Sequence, residues 1–219
     1  MVKSFKFLFQ FAWVNLASVL GFAMIVVAGA YATGVPNGAE NLFRTYFGSY
    51  PFMALVMVFI FAIALCTSNL NMALSFGGRR QDYFWAIQAI MLVYTGVCWA
   101  LQIVMSAIPV VFQWPEVDRW TALMSLGTGS SWSYPLVLMS SLCLGCLCGL
   151  AFARSRVLGV ILFSVAFVAF MAALVLLMLT GNHNGLWGDL PMILFLVTLA
   201  VFAVSEVLLW RTVNRYVVR

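Results

Sequence analysis

The chain has 219 residues, of which 65% are hydrophobic and 8% charged. A water-soluble domain carries about 25% charged residues because its surface has to stay wet, so this composition excludes a soluble globule and leaves no polar stretch long enough to build one outside a bilayer. The net charge of +5 follows membrane topology and is no footprint of nucleic-acid binding.

Charged residues cut the chain into uncharged runs, Phe7–Ala39, Thr45–Gly78, Tyr83–Pro115, Trp120–Ala153 and Val157–Gly188, and a sixth run, Leu190–Trp210, holds only Glu206. Each is long enough for the roughly 20 apolar residues that cross a hydrocarbon core. A lipid-facing backbone must satisfy its own hydrogen bonds, and the alternating pattern of a barrel is absent, so helices are the expected form. The expectation is one all-α, polytopic transmembrane domain over residues 1–219, with six spans near 7–32, 51–76, 83–112, 132–153, 157–180 and 190–210.

The first run follows Lys3 and Lys6, and its length exceeds an ordinary signal-peptide core, so it reads as span one. Gly34, Pro36, Asn37 and Gly38 supply turn chemistry after it. Span two opens at Pro51, fades through Thr67, Ser68, Asn69 and Asn71, and ends at Gly77–Gly78, which suit a left-handed cap. Arg79, Arg80, Gln81 and Asp82 form the bend to span three, with Asp82 placed to stabilise the start of that helix. Trp114, Trp120 and Trp132 place the next connector along a membrane interface. Spans four and five are separated only by Arg154–Ser155–Arg156, which predicts a tight antiparallel hairpin; Gly181–Gly185 is a turn before span six and the basic tail.

Orientation follows from the basic residues. With the N-terminus inside, the inner segments hold Lys3, Lys6, Arg79, Arg80, Arg154, Arg156, Arg211, Arg215 and Arg219, nine against Arg44 and Arg119 outside. The positive-inside rule therefore predicts that both termini are cytoplasmic.

Gly145 and Gly149 are a small-xxx-small pair, expected at a close helix contact. Cys143, Cys146 and Cys148 do not share one helix face and read as small buried thiols rather than metal ligands. His183 has no second histidine to join it. Glu206 is the one acid inside a span; Arg211 lies about a turn away, so neutralisation by that arginine or by the headgroup zone is expected. No phosphate-loop motif and no set of catalytic side chains occurs, so the chain reads as a non-enzymatic subunit without a cofactor of its own.

The run Ser75-Phe76-Gly77-Gly78-Arg79-Arg80-Gln81-Asp82-Tyr83-Phe84 resembles the second-to-third-helix connector of bacterial ATP-binding-cassette (ABC) permeases of the small six-helix exporter class. Gly145-Cys146-Leu147-Cys148-Gly149, followed by Arg154, Arg156 and Gly159, is a second point of likeness. The motif-level match covers about residues 70–90 and 143–160; the six-helix plan agrees over the whole chain. The resemblance implies an exporter permease in a bacterial cytoplasmic membrane, working as a homodimer or with a related permease. It further implies separate cytoplasmic ATPase subunits that carry ATP and Mg and dock on the elbow from Gly77 to Phe84 and on the Arg154–Arg156 turn. The chain departs from the wider family in having only Val2–Gln10, with Lys3 and Lys6 among phenylalanines, where a longer amphipathic helix would stand. A generic positive-inside hairpin is the competing account of the elbow. The rival functions are a secondary carrier or channel, for which Asn15, Asn69, Asn71 and Gln102 are candidate pore groups, and a non-transporting scaffold subunit.

Overall fold

The computed structural model describes residues 5–18, 21, 54–75, 79–111, 133–180 and 190–215. These form six helices: α1 over 5–18, α2 over 54–75, α3 over Arg80–Val111, α4 over Tyr134–Arg154, α5 over Arg156–Thr180 and α6 over Leu190–Arg215. Among the described residues, four stretches are long and apolar enough to cross a membrane: Ala54–Met72, Arg80–Val104, Tyr134–Arg154 and Met192–Arg215. Arg156–Ala172 on α5 is a shorter apolar stretch. Leucine, valine, isoleucine and phenylalanine cover the exposed faces of α5 and α6, from Val157 to Val168 and from Met192 to Leu208. Helices so apolar on their outward side are those of a membrane-embedded protein.

Helix α4 sits at the centre and packs against α2, α3, α5 and α6. Its buried positions include Ser140, Ser141, Cys143, Gly145, Cys146, Cys148 and Gly149, and small side chains are what allow neighbours to approach from several sides. A Cβ built on Gly145 would lie 2.7 Å from the Phe59 carbonyl oxygen, and one on Gly149 would lie 2.5 Å from the Ile63 carbonyl oxygen. Both glycines therefore abut the backbone of α2. The α4–α5 link is as short as its charges imply: Ser155 alone is extended, its N–H bonds Ala151 O at 2.8 Å, and Gly159 N–H bonds Ser155 O at 3.0 Å. Gly159 seats against Phe152, whose ring and Cα occupy the space of a Cβ.

Two helix ends differ from expectation, and α2 carries an irregularity of its own. Helix α2 is described to Ser75, close to the expected end of span two at 76, and its polar patch falls on a π-helical turn at Leu65–Asn69. The Thr67 hydroxyl bonds Ile63 O at 3.0 Å, so a polar side chain meets a carbonyl beside the widened turn. Helix α3 begins at Arg80 rather than Tyr83, with Asp82 in its first turn, where a negative charge suits the helix N-terminus. Helix α6 runs on to Arg215, five residues past the expected end at Trp210, and Arg215 suits its negative C-terminal end.

Helices α3 and α6 run antiparallel along a regular seam. Arg80 meets Asn214, Phe84 meets Trp210 and Gln88 meets Glu206, a four-residue step on one helix matching a four-residue step back on the other. Helix α1 joins this body through the Tyr94 hydroxyl, which bonds Asn15 Oδ1, and through the burial of Leu8 and Ala12 in the common core.

Candidate functional site

The elbow is not a free loop. Tyr83, fully buried, points its hydroxyl back into α2 and donates to Leu65 O at 2.6 Å, at the first residue of the π turn. Arg80 Nη1 donates to Asn214 O at 3.3 Å on α6. Phe84 packs edge-on to Trp210 at 4.7 Å and to Trp85 at 5.7 Å, while Trp85 and Trp210 stand 6.4 Å apart. The first turn of α3 is thus tied to α2 by a buried hydrogen bond and to α6 by a cation and an aromatic cluster. Arg79, Arg80 and Gln81 are exposed, as are Arg154 and Arg156 at the neighbouring turn. Gly77 and Gly78 lie outside the described residues, as do the 112–132 connector and His183.

One turn along the same seam is a polar cluster that the sequence does not announce. Gln88 Nε2 donates to Glu206 Oε1, and the Cys143 thiol donates to Glu206 Oε2 at 3.2 Å. Arg211, the expected partner, is not what holds the carboxylate: among the described residues its bonds come from Gln88 and Cys143, on two other helices. The reason is helical direction, since position 206 faces α3 and α4 while the arginine five residues on belongs to a different side of α6. Both carboxyl oxygens therefore have a partner, the amide on α3 and the thiol on α4.

Gln88 also begins a polar stripe. Thr95 and Gln102 follow at intervals of seven residues, so the three lie on nearly one line along α3, spanning about 21 Å at 1.5 Å per residue. Thr95 is 6% and Gln102 4% exposed, and among the described residues neither Thr95 Oγ1 nor Gln102 Oε1 has a hydrogen-bond partner. A buried polar atom without a partner costs free energy in any apolar surrounding. Of the four candidate pore groups read from the sequence, Gln102 lies on this stripe, Asn15 is committed to Tyr94, Asn69 is buried and Asn71 is exposed. Gln88, Thr95 and Cys143 were not legible as site residues, because each sits among apolar neighbours without a motif.

All five cysteines are free and buried, and no group of three or more histidine, cysteine or acidic side chains among the described residues could hold a metal ion. Compared with protein-family models, with curated proteins and with solved structures, the chain matches none.

Proposed function

We propose that the chain is the membrane-spanning permease subunit of an ATP-driven exporter in a bacterial cytoplasmic membrane. In this reading it has six spans with both termini inside, pairs with itself or a related permease, and docks two cytoplasmic ATPase subunits on the Arg79–Phe84 elbow and the Arg154–Arg156 turn. The sequence likeness to ABC permeases at the elbow suggests the reading, and one observation carries it furthest: the Tyr83–Leu65 hydrogen bond, which fastens the elbow to the π turn of α2. A push received at exposed Arg79 would move α2 and α3 as a unit and reach α6 through Arg80 and Phe84. Rigid-body transfer of this kind is how small domain movements switch a bundle between two packings. The test is purification of the tagged chain from its native membrane under mild conditions: the expected result is a co-purifying subunit that hydrolyses ATP, and a chain that transports without one would overturn it.

A second reading has its own support. Glu206 held between three helices is the kind of intramembrane acid on which ion-driven carriers depend. Transport by the purified chain in sealed vesicles, driven by an ion gradient with no ATP present, would favour that reading over the first.

A further inference from the structure

We propose that Glu206 is a proton-binding site at the junction of α3, α4 and α6, taking up and releasing a proton while Gln88 and Cys143 stay bonded to it in both states. This names the ion of the carrier reading and rests on that reading only in giving the proton a task in transport; the protonation itself needs this chain alone.

Glu206 is the one acid in the apolar stretch Met192–Arg215, and its side chain is only partly exposed. A carboxylate in such surroundings needs an opposite charge beside it or a proton upon it. Among the described residues no cation meets it: Arg211 belongs to another side of α6, and Arg80 is bonded to Asn214 O, about two turns along the seam. The groups that face it from the two helices packed against α6 here are Gln88 on α3 and the thiols of Cys143 and Cys146 on α4, of which Gln88 and Cys143 are bonded to it. Both bonded partners can serve either state. An amide has N–H groups that donate to a carboxylate and a carbonyl that accepts from a carboxylic acid, and rotation about its last side-chain bond exchanges the two; a thiol donates weakly. Lysine or arginine in the place of Gln88 could only donate, and would be stranded when the acid took its proton. A proton also requires no cavity, since it adds one bond to an oxygen already in place. On uptake from water it bonds Oε1, the new O–H donates to the Gln88 carbonyl, and Oε2, now a carbonyl oxygen, still accepts from Cys143; on release the amide turns back and the proton returns to water. No polar group at the junction is left unpaired in either state, which is the condition burial imposes. Trp210 and Arg211, about one turn further along α6, are exposed and of the kinds that mark a membrane–water interface, so the carboxyl lies within reach of water from that end.

Infrared difference spectroscopy on the full chain in phosphatidylcholine nanodiscs, stepped repeatedly between alkaline and acidic buffer within the range in which the chain stays folded, reads both groups at once: the C=O stretch of a protonated carboxyl and the S–H stretch of the thiols. The expected result is a reversible C=O band that is missing in Glu206→Gln, together with a shift of an S–H band that is lost in Glu206→Gln and in Cys143→Ala. Gln88→Leu should displace the C=O band without removing it, whereas Gln88→Lys, with a partner that can only donate, should remove it. A Glu206→Gln spectrum identical to wild type, a carboxyl band with no accompanying thiol shift, or a band unchanged in Gln88→Lys would overturn the proposal. Should Glu206→Gln fail to fold, the thiol shift in the wild type and its loss in Cys143→Ala decide. Transport in sealed vesicles separates the site from the carrier reading: titration of Glu206 with transport indifferent to a proton gradient leaves the site standing and removes that reading, and gradient-driven transport undiminished in Glu206→Gln does the reverse.

Discussion

The Gln88 amide on α3 meets the Glu206 carboxylate on α6 one helical turn from where Phe84 meets Trp210, so a polar pair and an aromatic pair occupy consecutive rungs of one antiparallel seam. The polar rung has a measurable worth. Interhelical hydrogen bonds in membranes contribute about 0.6 kcal/mol on average and up to about 1.7 kcal/mol. In a double-mutant cycle with Gln88→Leu and Glu206→Leu, measured by reversible unfolding in detergent or bicelles, we expect a coupling energy of about 1 kcal/mol. A coupling indistinguishable from zero would show that the two side chains do not meet.

Close approach of α4 to α2 gives a second expectation. A methyl group at Gly149 would stand 2.5 Å from Ile63 O and 3.0 Å from Cys66 Cβ, and one at Gly145 would stand 2.7 Å from both Phe59 O and Ala62 Cβ. Backbone cannot withdraw as a flexible side chain can, so Gly149→Ala and Gly145→Ala should each destabilise the protein by about 1–3 kcal/mol, as overpacking does. Gly96→Ala is the control, since nothing stands within 4 Å of its Cβ position. It should be neutral or stabilising, and equal losses at all three glycines would contradict the packing described.

Much of this architecture was written in local features, and the rest was not. The Arg154–Arg156 hairpin is legible because charges must leave the hydrocarbon, and the Gly145/Gly149 pair because small residues mark close contacts. The Gln88–Glu206 rung joins residues 118 apart in sequence, and nothing within either helix specifies the other. Glu206 suggested Arg211 because proximity in sequence was the only guide; direction around the helix decided otherwise. The π turn escaped for a related reason, since Leu65–Asn69 contains no glycine or proline and its widened ladder is matched by the distant Tyr83 hydroxyl.

That hydroxyl gives a third expectation. Tyr83→Phe keeps the ring in its buried place and removes only the oxygen that bonds Leu65 O. Loss of one partner of a buried hydrogen bond costs about 1–3 kcal/mol, so the variant should unfold more readily while still inserting. In the exporter reading it should also retain its ATPase subunit and yet transport less per ATP hydrolysed, because the elbow is no longer fastened to α2. Unchanged stability and unchanged coupling together would leave the hydroxyl without a role.

Topology is open to a direct measurement. With the native cysteines replaced, Val117→Cys should react with an impermeant thiol reagent from outside and Ser155→Cys only from inside, as the nine-to-two distribution of basic residues requires. The reverse labelling would invert the orientation, and two-sided labelling would remove the six-span arrangement.

The elbow itself separates docking from a merely topogenic hairpin, and the fold sharpens which residue to change. Arg80 already serves the chain's own packing, since its guanidinium bonds Asn214 O, whereas Arg79 stands exposed just before the first turn of α3. Under docking, Arg79→Ala should leave stability within about 0.5 kcal/mol, as expected for a surface change, and yet reduce the amount of co-purifying ATPase severalfold. Arg80→Ala should act differently, loosening the last turn of α6 as well as the docking surface. The triple change Arg79→Ala, Arg80→Ala and Asp82→Ala should abolish ATPase retention while leaving the chain inserted, because the proposed orientation still has Arg154, Arg156, Arg211 and Arg215 to hold it. If ATPase retention and cargo-stimulated hydrolysis survive the triple change, with the labelling pattern also intact, these charges serve insertion alone and docking lies elsewhere on the chain.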